Sequence, residues 1–316
     1  MNTPQTPLIA VIGPTAVGKT ELVLKIAARL GAEIVSVDSM QVYRHMDIGT
    51  AKPSLEEQRL IRHHLINMVN PDQDYNLATY INDAEKICTM LSKEKKVALL
   101  TGGTGLYLKG FQDGLFSDPG PGNCPEIREK LNQELIQKGR EALFNRLQTV
   151  DAASASRIHP NDTTRLLRAL EIYETTGTPW STHLLKQPTQ KSNANRRIIL
   201  KIGLNRPRKE LYNRINQRSA TMLRQGLIEE VETLLSQGYS RKLKPLQAIG
   251  YRHVIEFLDG HKNRDETELI LARDTRHYAK RQLTWFLRDE EIQWHHPSEI
   301  NEIIAKSGEF LDSYHG

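Results

Sequence analysis

Residues 13–20, GPTAVGKT, limit what this chain can fold into more than any other stretch. The spacing G-x-x-x-x-G-K-[ST] is met by Gly13, Gly18, Lys19 and Thr20. The two glycines let the backbone bend until successive N–H groups face phosphate oxygens. A helix starting near Lys19 would aim the positive end of its dipole at the same point. Lys19 adds a point charge, and the Thr20 hydroxyl can hold Mg²⁺. Such a loop requires a strand before it and a helix after it. Leu8 to Ile12 is a short apolar run, and residues 21–30 carry Leu22, Ile26 and Leu30 at helical spacing before Gly31. Gly13, Pro14, Thr15, Ala16, Val17, Gly18, Lys19 and Thr20 are therefore the expected phosphate site.

Further strands are expected at residues 33–37, ending on Asp38, and at 96–100, running into Thr101-Gly102-Gly103-Thr104-Gly105. A helix is expected over 80–92. Alternating strands and helices imply a parallel sheet with covered faces. The pattern changes after about Phe116. Residues 117–125, SDPGPGNCP, read as a turn-rich boundary. Residues 126–177 show only helical periodicity, and 178–195 are polar and irregular before a strand pattern resumes at 197–204. The expected class is α/β, a P-loop NTPase-like parallel sheet flanked by helices, with an inserted all-helical domain. Residues 1–118 would form the first part of the core, 119–195 the insertion and 196–316 the continuation of the core. Helices are expected at 207–225, 227–237 and 265–288, with Gly226 and Gly238 at C-cap positions, and a last short strand at 292–294.

The chain's 316 residues, 38% apolar and 26% charged, suffice for a proper core. No apolar run approaches the roughly 20 residues that span a bilayer. The N-terminus lacks a basic region followed by a long apolar stretch, so no signal peptide is read. Cys88 and Cys124 lie in unrelated contexts that point to neither a disulfide nor zinc, and a cytoplasmic protein is expected. Charge is unevenly spread: residues 196–288 hold 20 Lys/Arg against 10 Asp/Glu, and the tail from Asp289 holds 1 against 7. The basic segment suggests an anionic partner such as a nucleic acid; a solvated basic surface is the alternative.

A nucleotide hydrolase would offer a strand-end carboxylate for Mg²⁺ and a device that aims water. The strand ending in TGGTG offers no carboxylate. The strand-end acid is Asp38, and strand ends of a parallel sheet face the ligand crevice. Asp38 could help hold Mg²⁺, take a proton from an incoming nucleophile, or simply cap a turn. Thr104 could bond a phosphate or the nucleophile. Arg214 and Arg218, spaced i,i+4, suit a diphosphate, unless they pair with Glu210. Over 265–288, Arg273, His277, Lys280, Arg281, Thr284 and Arg288 form a basic-polar stripe interleaved with Tyr278 and Trp285. That suits RNA. The same spacing also describes an amphipathic helix with its rings in the core, the reading that fits Trp285 itself. In the helical stretch, Asn161 and Asp162 are N-caps, and Arg165, Arg168 and Arg128 could reach a partner or be solvated.

Together GPTAVGKT, VDSMQVYRHMDIGTAKP, TGGTGLYLKG, RIHPNDTTRLLRALE, AIGYRH and KRQLTW resemble one family, the bacterial tRNA dimethylallyltransferases, over nearly the whole chain. The resemblance implies transfer of a dimethylallyl group from dimethylallyl diphosphate to the exocyclic amine of the adenosine just 3′ of the tRNA anticodon. It implies a Mg²⁺ cofactor and no obligate protein partner, and the chain is taken as a monomer. Asp38 would be the general base, and Thr104 would steady either Asp38 or the diphosphate. Lys19, Arg218 and residues 13–20 would hold the diphosphate, with Mg²⁺ on Thr20. Asp38, Ser39, Met40 and Gln41 would meet the adenine. Thr104, Arg128, Thr164, Arg165, Leu166, Leu167, Arg168, Gln247, Ala248, Ile249, Gly250, Tyr251, Arg252, Lys280 and Arg281 would meet tRNA. One departure stands out. Where the family carries an arginine two residues after the KRQLTW tryptophan, this chain has Leu287, with Arg288 one residue later and about 100° further round a helix. Arg288 is therefore left out of the expected contacts. The alternatives are an adenylate isopentenyltransferase acting on free nucleotide and a P-loop kinase or ATPase.

Overall fold

Leu8–Ile12, apolar at every position, forms strand β1 and is buried throughout, as a strand covered on both faces must be. The computed structural model describes residues 7–113, 124–186 and 196–314. Residues 1–6, most of the turn-rich stretch from Ser117 and the polar stretch beyond Lys186 lie outside the described residues. After β1 come α1 (Lys19–Leu30), β2 (Ala32–Val37), α2 (Leu55–Leu60), β3 (His63–His64), α3 (Leu77–Lys93), β4 (Val97–Gly102) and α4 (Gly105–Asp113). Next are α5 (Pro125–Val150), α6 (Ala152–Ala155), α7 (Thr163–Thr176) and α8 (Trp180–Lys186). The chain continues through β5 (Ile199–Leu204), α9 (Arg208–Arg224), α10 (Leu227–Ser236), α11 (Tyr251–Leu258), α12 (Arg264–Phe286), β6 (Gln293–His295) and α13 (Ile300–Asp312). One compact unit is drawn from Met1–Gln112 and Arg197–Gly316, another from Asp113–Arg196.

The first unit is built on a six-stranded sheet in the order β3-β2-β4-β1-β5-β6, parallel at every pairing. Ile9 and Val11 point into a core with Leu22 and Ile26 of α1, Ile202 and Leu204 of β5, Leu211 and Ile215 of α9, and Ile303 of α13. The register decides where the chemistry lies. Ile12 stands opposite Gly102 on one side and Gly203 on the other, and Gly102 stands opposite Val37. The residues that follow these ends, Gly13, Gly103 and Asp38, therefore emerge side by side at one edge. A Cβ on Gly102 would lie 2.0 Å from the Val37 carbonyl oxygen, so β2 and β4 approach this closely because the position is glycine.

The sequence reading leaves out α2, α4 and α11, and three further elements depart from it. The two-residue edge strand β3 is too short to leave a pattern. The acidic tail folds into α13, which buries Ile303, Ser307 and Leu311 at i, i+4 and i+8 and turns its charges outward. Part of the stretch taken as irregular forms α8, where Trp180 packs on the apolar cluster of the second unit and the Ser181 N–H donates to the Asp151 carboxylate at 2.9 Å. The second unit contains only helices among its described residues. Its α5 breaks at Gly139 (φ 78°, ψ 168°), and its core joins Leu131, Leu143, Leu147, Leu166 and Leu170. No helix of the described residues is long and apolar enough to cross a membrane.

Candidate active site

The loop between β1 and α1 turns through left-handed backbone at Ala16 (φ 63°) and Gly18 (φ 107°), the conformation that aims neighbouring N–H groups to a common point. Turning amides inward leaves carbonyls facing outward, and buried carbonyls need donors. Two arginines supply them: Arg214 Nε donates to the Ala16 carbonyl at 2.9 Å, and Arg206 Nε to that of Val17 at 2.7 Å. Arg214 thus braces the loop from behind and does not pair with Glu210, whose partner is Arg206. Lys19 Nζ reaches back to the Gly13 and Pro14 carbonyls at 2.9 and 2.8 Å. Burial pushes this ammonium down to about 7, Arg218 pushes the same way, and Asp38 opposes both. Burial also holds the Arg218 guanidinium below its ordinary value, against the attraction of Asp38.

Asp38 leaves β2 at the sheet edge and closes a turn: its Oδ1 accepts from the Met40 and Gln41 N–H groups at 2.8 and 3.2 Å. It is therefore a turn residue and a candidate base at once, because both bonds fall on Oδ1. Thr104 accepts from the Ser39 N–H at 3.1 Å, fixing the first residue after Asp38. Two phenols flank the same charge. Burial, reinforced by Asp38, raises the Tyr278 hydroxyl, which is coupled to Thr104 and Gln282. Tyr107 is raised by burial, by Tyr43 and by Asp38. Lys19, Arg218, Tyr107 and Tyr278 thus all feel the charge of one carboxylate. Gln41 departs from expectation: its Nε2 donates to the Thr50 and Ala51 carbonyls at 3.4 and 3.2 Å, and its Oε1 accepts from the Ser36 hydroxyl at 3.1 Å. That amide is committed to the protein and does not reach for a base.

Gln282 is a further site residue, one that no sequence pattern singles out. Its buried amide accepts from the Thr15 N–H at 2.9 Å and donates to the Gly103 carbonyl at 3.0 Å, tying α12 to both loops that frame the site. The partners lie 267 and 179 residues away, so no local signal could have revealed them. We expect Gln282→Leu to weaken inorganic diphosphate binding about tenfold in titration calorimetry, the equivalent of one or two net hydrogen bonds. Unchanged affinity would show that the loop holds its shape without it.

The remaining residues expected to meet RNA divide by exposure. Lys280 and Arg281 are exposed on α12, as are His277 and Thr284, while Ala279, Gln282 and Phe286 face inward. Trp285 is 38% exposed and lies over Gly105, where a Cβ would meet the indole at 2.1 Å. It belongs to the basic face and not to the core. Gln247 is exposed, its Nε2 donating to the Arg241 carbonyl at 2.7 Å, and Ala248 and Ile249 are partly exposed. Gly250 is buried at the start of α11, and Arg252 is paired with Asp274 at 2.6 Å. Tyr251 corrects the reading: its side chain is fully buried and donates to Glu230 at 2.6 Å. In the second unit Thr164 and Arg165 are exposed, and Arg165 pairs with Asp162. Leu166 and Leu167 are core residues whose side chains face no partner. Arg128 and Arg168 both bond the buried carboxylate of Glu171, at 2.7 and 3.1 Å, which gives each a packing role in addition to any external one.

A family model described as IPP transferase matches residues 41–289. The tRNA dimethylallyltransferase of Desulfotalea psychrophila is 46% identical over 306 residues, covering 97% of this chain and 96% of that protein. The tRNA dimethylallyltransferase 2 of Syntrophus aciditrophicus is 45% identical over 305 residues, covering 96% of each. Among solved structures, the tRNA isopentenylpyrophosphate transferase of Bacillus halodurans superposes with a TM-score of 0.71 at 35% identity, covering 98% of both chains.

Proposed function

The chain belongs to the IPP transferase family, and we propose that it transfers the dimethylallyl group of dimethylallyl diphosphate to the exocyclic amine of the adenosine 3′-adjacent to a tRNA anticodon. One observation carries the mechanism: the Asp38 carboxylate and the phosphate loop emerge at one edge of the sheet, from the ends of β2 and β1 on either side of β4, and the charges of Lys19 and Arg218 both interact with Asp38. An exocyclic adenine amine is a weak nucleophile because its lone pair is delocalised. Asp38 orients the amine and accepts its proton as the new N–C bond forms. The C–O bond to diphosphate breaks, and its electron pair leaves with the diphosphate. Lys19, Arg218 and the loop N–H groups receive that charge. Thr104 holds the turn after Asp38 steady through the Ser39 N–H. The target base must leave the anticodon stack to enter the site, and the exposed face of α12 with Lys280, Arg281 and Trp285 suits the surrounding RNA.

Mg²⁺ fits the donor set. Thr20 is exposed in the first turn of α1, beside the phosphate loop. Its hydroxyl is a hard oxygen donor of the kind Mg²⁺ takes alongside phosphate oxygens and water, and its use leaves Asp38 Oδ2, which carries no hydrogen bond among the described residues, free to accept the proton. When bound, the ion would share the charge of the departing diphosphate. A cytoplasmic setting follows from a tRNA substrate.

Incubation of the protein with labelled dimethylallyl diphosphate, Mg²⁺ and unmodified tRNA, followed by nucleoside analysis, tests this reading. Label is expected on the adenosine beside the anticodon. Transfer to AMP but not to tRNA would decide for the free-nucleotide enzyme, and phosphate release from ATP without a prenyl donor for a kinase or ATPase.

A further inference from the structure

The segment DIGTAKP, residues 47–53, has no part in the chemistry above, yet it is bonded more densely than a surface loop needs. Lys52 is buried beneath it and donates to the Tyr43 carbonyl, the Asp47 carboxylate and the Asn67 side chain at 2.7, 2.5 and 2.7 Å. From outside, Glu230 of α10 meets it. Glu230 Oε2 accepts from the Asp47 and Ile48 N–H groups at 2.9 and 2.8 Å, and Oε1 from the Gly49 N–H at 3.2 Å and the Tyr251 hydroxyl at 2.6 Å. Three consecutive amides on one carboxylate form a fixed grip, since charge-assisted bonds are about twice as strong as neutral ones. Glycine at 49 permits it: a Cβ there would lie 2.5 Å from the Tyr251 ring.

The loop so held leads inward. The next two carbonyls, of Thr50 and Ala51, receive the Gln41 amide, and the Gln41 backbone N–H donates to Asp38 Oδ1. We propose that Glu230 is a positioning residue for the reaction: through the loop at 47–51 and the Gln41 strut it sets where the Asp38 carboxylate stands. Tyr251 shares Oε1 of Glu230 with the Gly49 N–H and helps fix that carboxylate, which gives this buried tyrosine of AIGYRH a role that does not require contact with tRNA. The inference rests on the reading of Asp38 as the base in prenyl transfer.

The test uses the full chain and measures transfer to tRNA beside binding of inorganic diphosphate. Glu230→Gln keeps size but sets an amide NH₂ where a carboxylate took backbone donors. It is expected to lower kcat about 10- to 100-fold, the effect of a misplaced reacting group, while diphosphate affinity stays within about twofold because the P-loop does not share the relay. Gln41→Ala should give a similar loss. The double variant should be no worse than Gln41→Ala alone, since residues acting through one relay are not additive. Wild-type kcat in Glu230→Gln, additive losses in the double variant, or a parallel collapse of diphosphate binding would each overturn the proposal. If Glu230→Gln does not yield folded protein, Tyr251→Phe poses the same question. It keeps the ring against Gly49 and removes one donor, so about a threefold lower kcat is expected with diphosphate binding intact, and no change counts against the relay. Absence of transfer by the unaltered chain removes the functional reading instead, and this inference with it.

Discussion

Replacing Asp38 by asparagine is expected to lower dimethylallyl transfer to tRNA by about 10³-fold, within the range of a lost general base, while inorganic diphosphate still binds. Asparagine is the informative choice because Asp38 has two tasks. Its Oδ1 receives the Met40 and Gln41 N–H groups, and an asparagine carbonyl oxygen can accept both, so the turn survives. What disappears is the negative charge and the ability to accept a proton. Alanine would remove the turn acceptor as well and mix the two effects. The charge also balances cations: Asp38 favours the charged forms of Lys19 and Arg218. Its neutralisation removes a carboxylate that repels the diphosphate and leaves Arg218 without its counter-charge, while it also disfavours the charged form of Lys19; the effects oppose, so ground-state affinity for diphosphate should hold. Lowered kcat with undiminished diphosphate affinity is the pattern to look for. Transfer at the wild-type rate in Asp38→Asn would remove Asp38 from the mechanism.

What the sequence discloses and what it hides follow from how far each interaction reaches. The phosphate loop is a local code, because its glycine spacing, strand and helix all lie within residues 8–30. The nearness of Asp38 and Thr104 to that loop is also legible, since strand ends of a parallel sheet share an edge. The contacts that hold these residues in place from behind are not legible. Gln282 reaches Thr15 and Gly103, and Glu230 reaches Asp47, Ile48 and Gly49, across more than a hundred residues in each case. Helical spacing put Arg214 and Arg218 on one face correctly, but it could not say that Arg214 bonds the back of the loop while Arg218 is coupled to Asp38. Acidic composition masked α13, whose buried positions are few and widely spaced. Resemblance located the segments at 164–168 and 247–252, yet only the structure separates Leu166, Leu167 and Tyr251, which are buried, from Thr164, Arg165 and Gln247, which are not.

Lys19→Met should lower transfer about 10²- to 10³-fold, the scale on which a preorganised donor to developing charge acts, and its pH dependence identifies the cause. With its ammonium pushed down to about 7, the free protein holds Lys19 charged below that pH and neutral above it. A bound diphosphate, carrying several negative charges, favours the charged form and raises the group again. Binding below about pH 7 therefore takes up no proton at Lys19, whereas binding well above it takes up nearly one. By linkage, the affinity advantage of wild type over Lys19→Met is greatest near pH 6, at about 10- to 100-fold for a charge-assisted contact. It then falls by up to about tenfold per pH unit as pH rises through and beyond about 7. Comparing the two proteins cancels the ionisation of free diphosphate and of groups remote from Lys19. Calorimetric titration of inorganic diphosphate in buffers of different ionisation enthalpy, at about pH 6 and about pH 8.5, reads the uptake directly. The expected difference between wild type and Lys19→Met is close to zero protons at the lower pH and approaches one at the higher. An equal difference at both would mean that Lys19 is charged throughout, and that burial beside Arg218 does not outweigh the pull of Asp38.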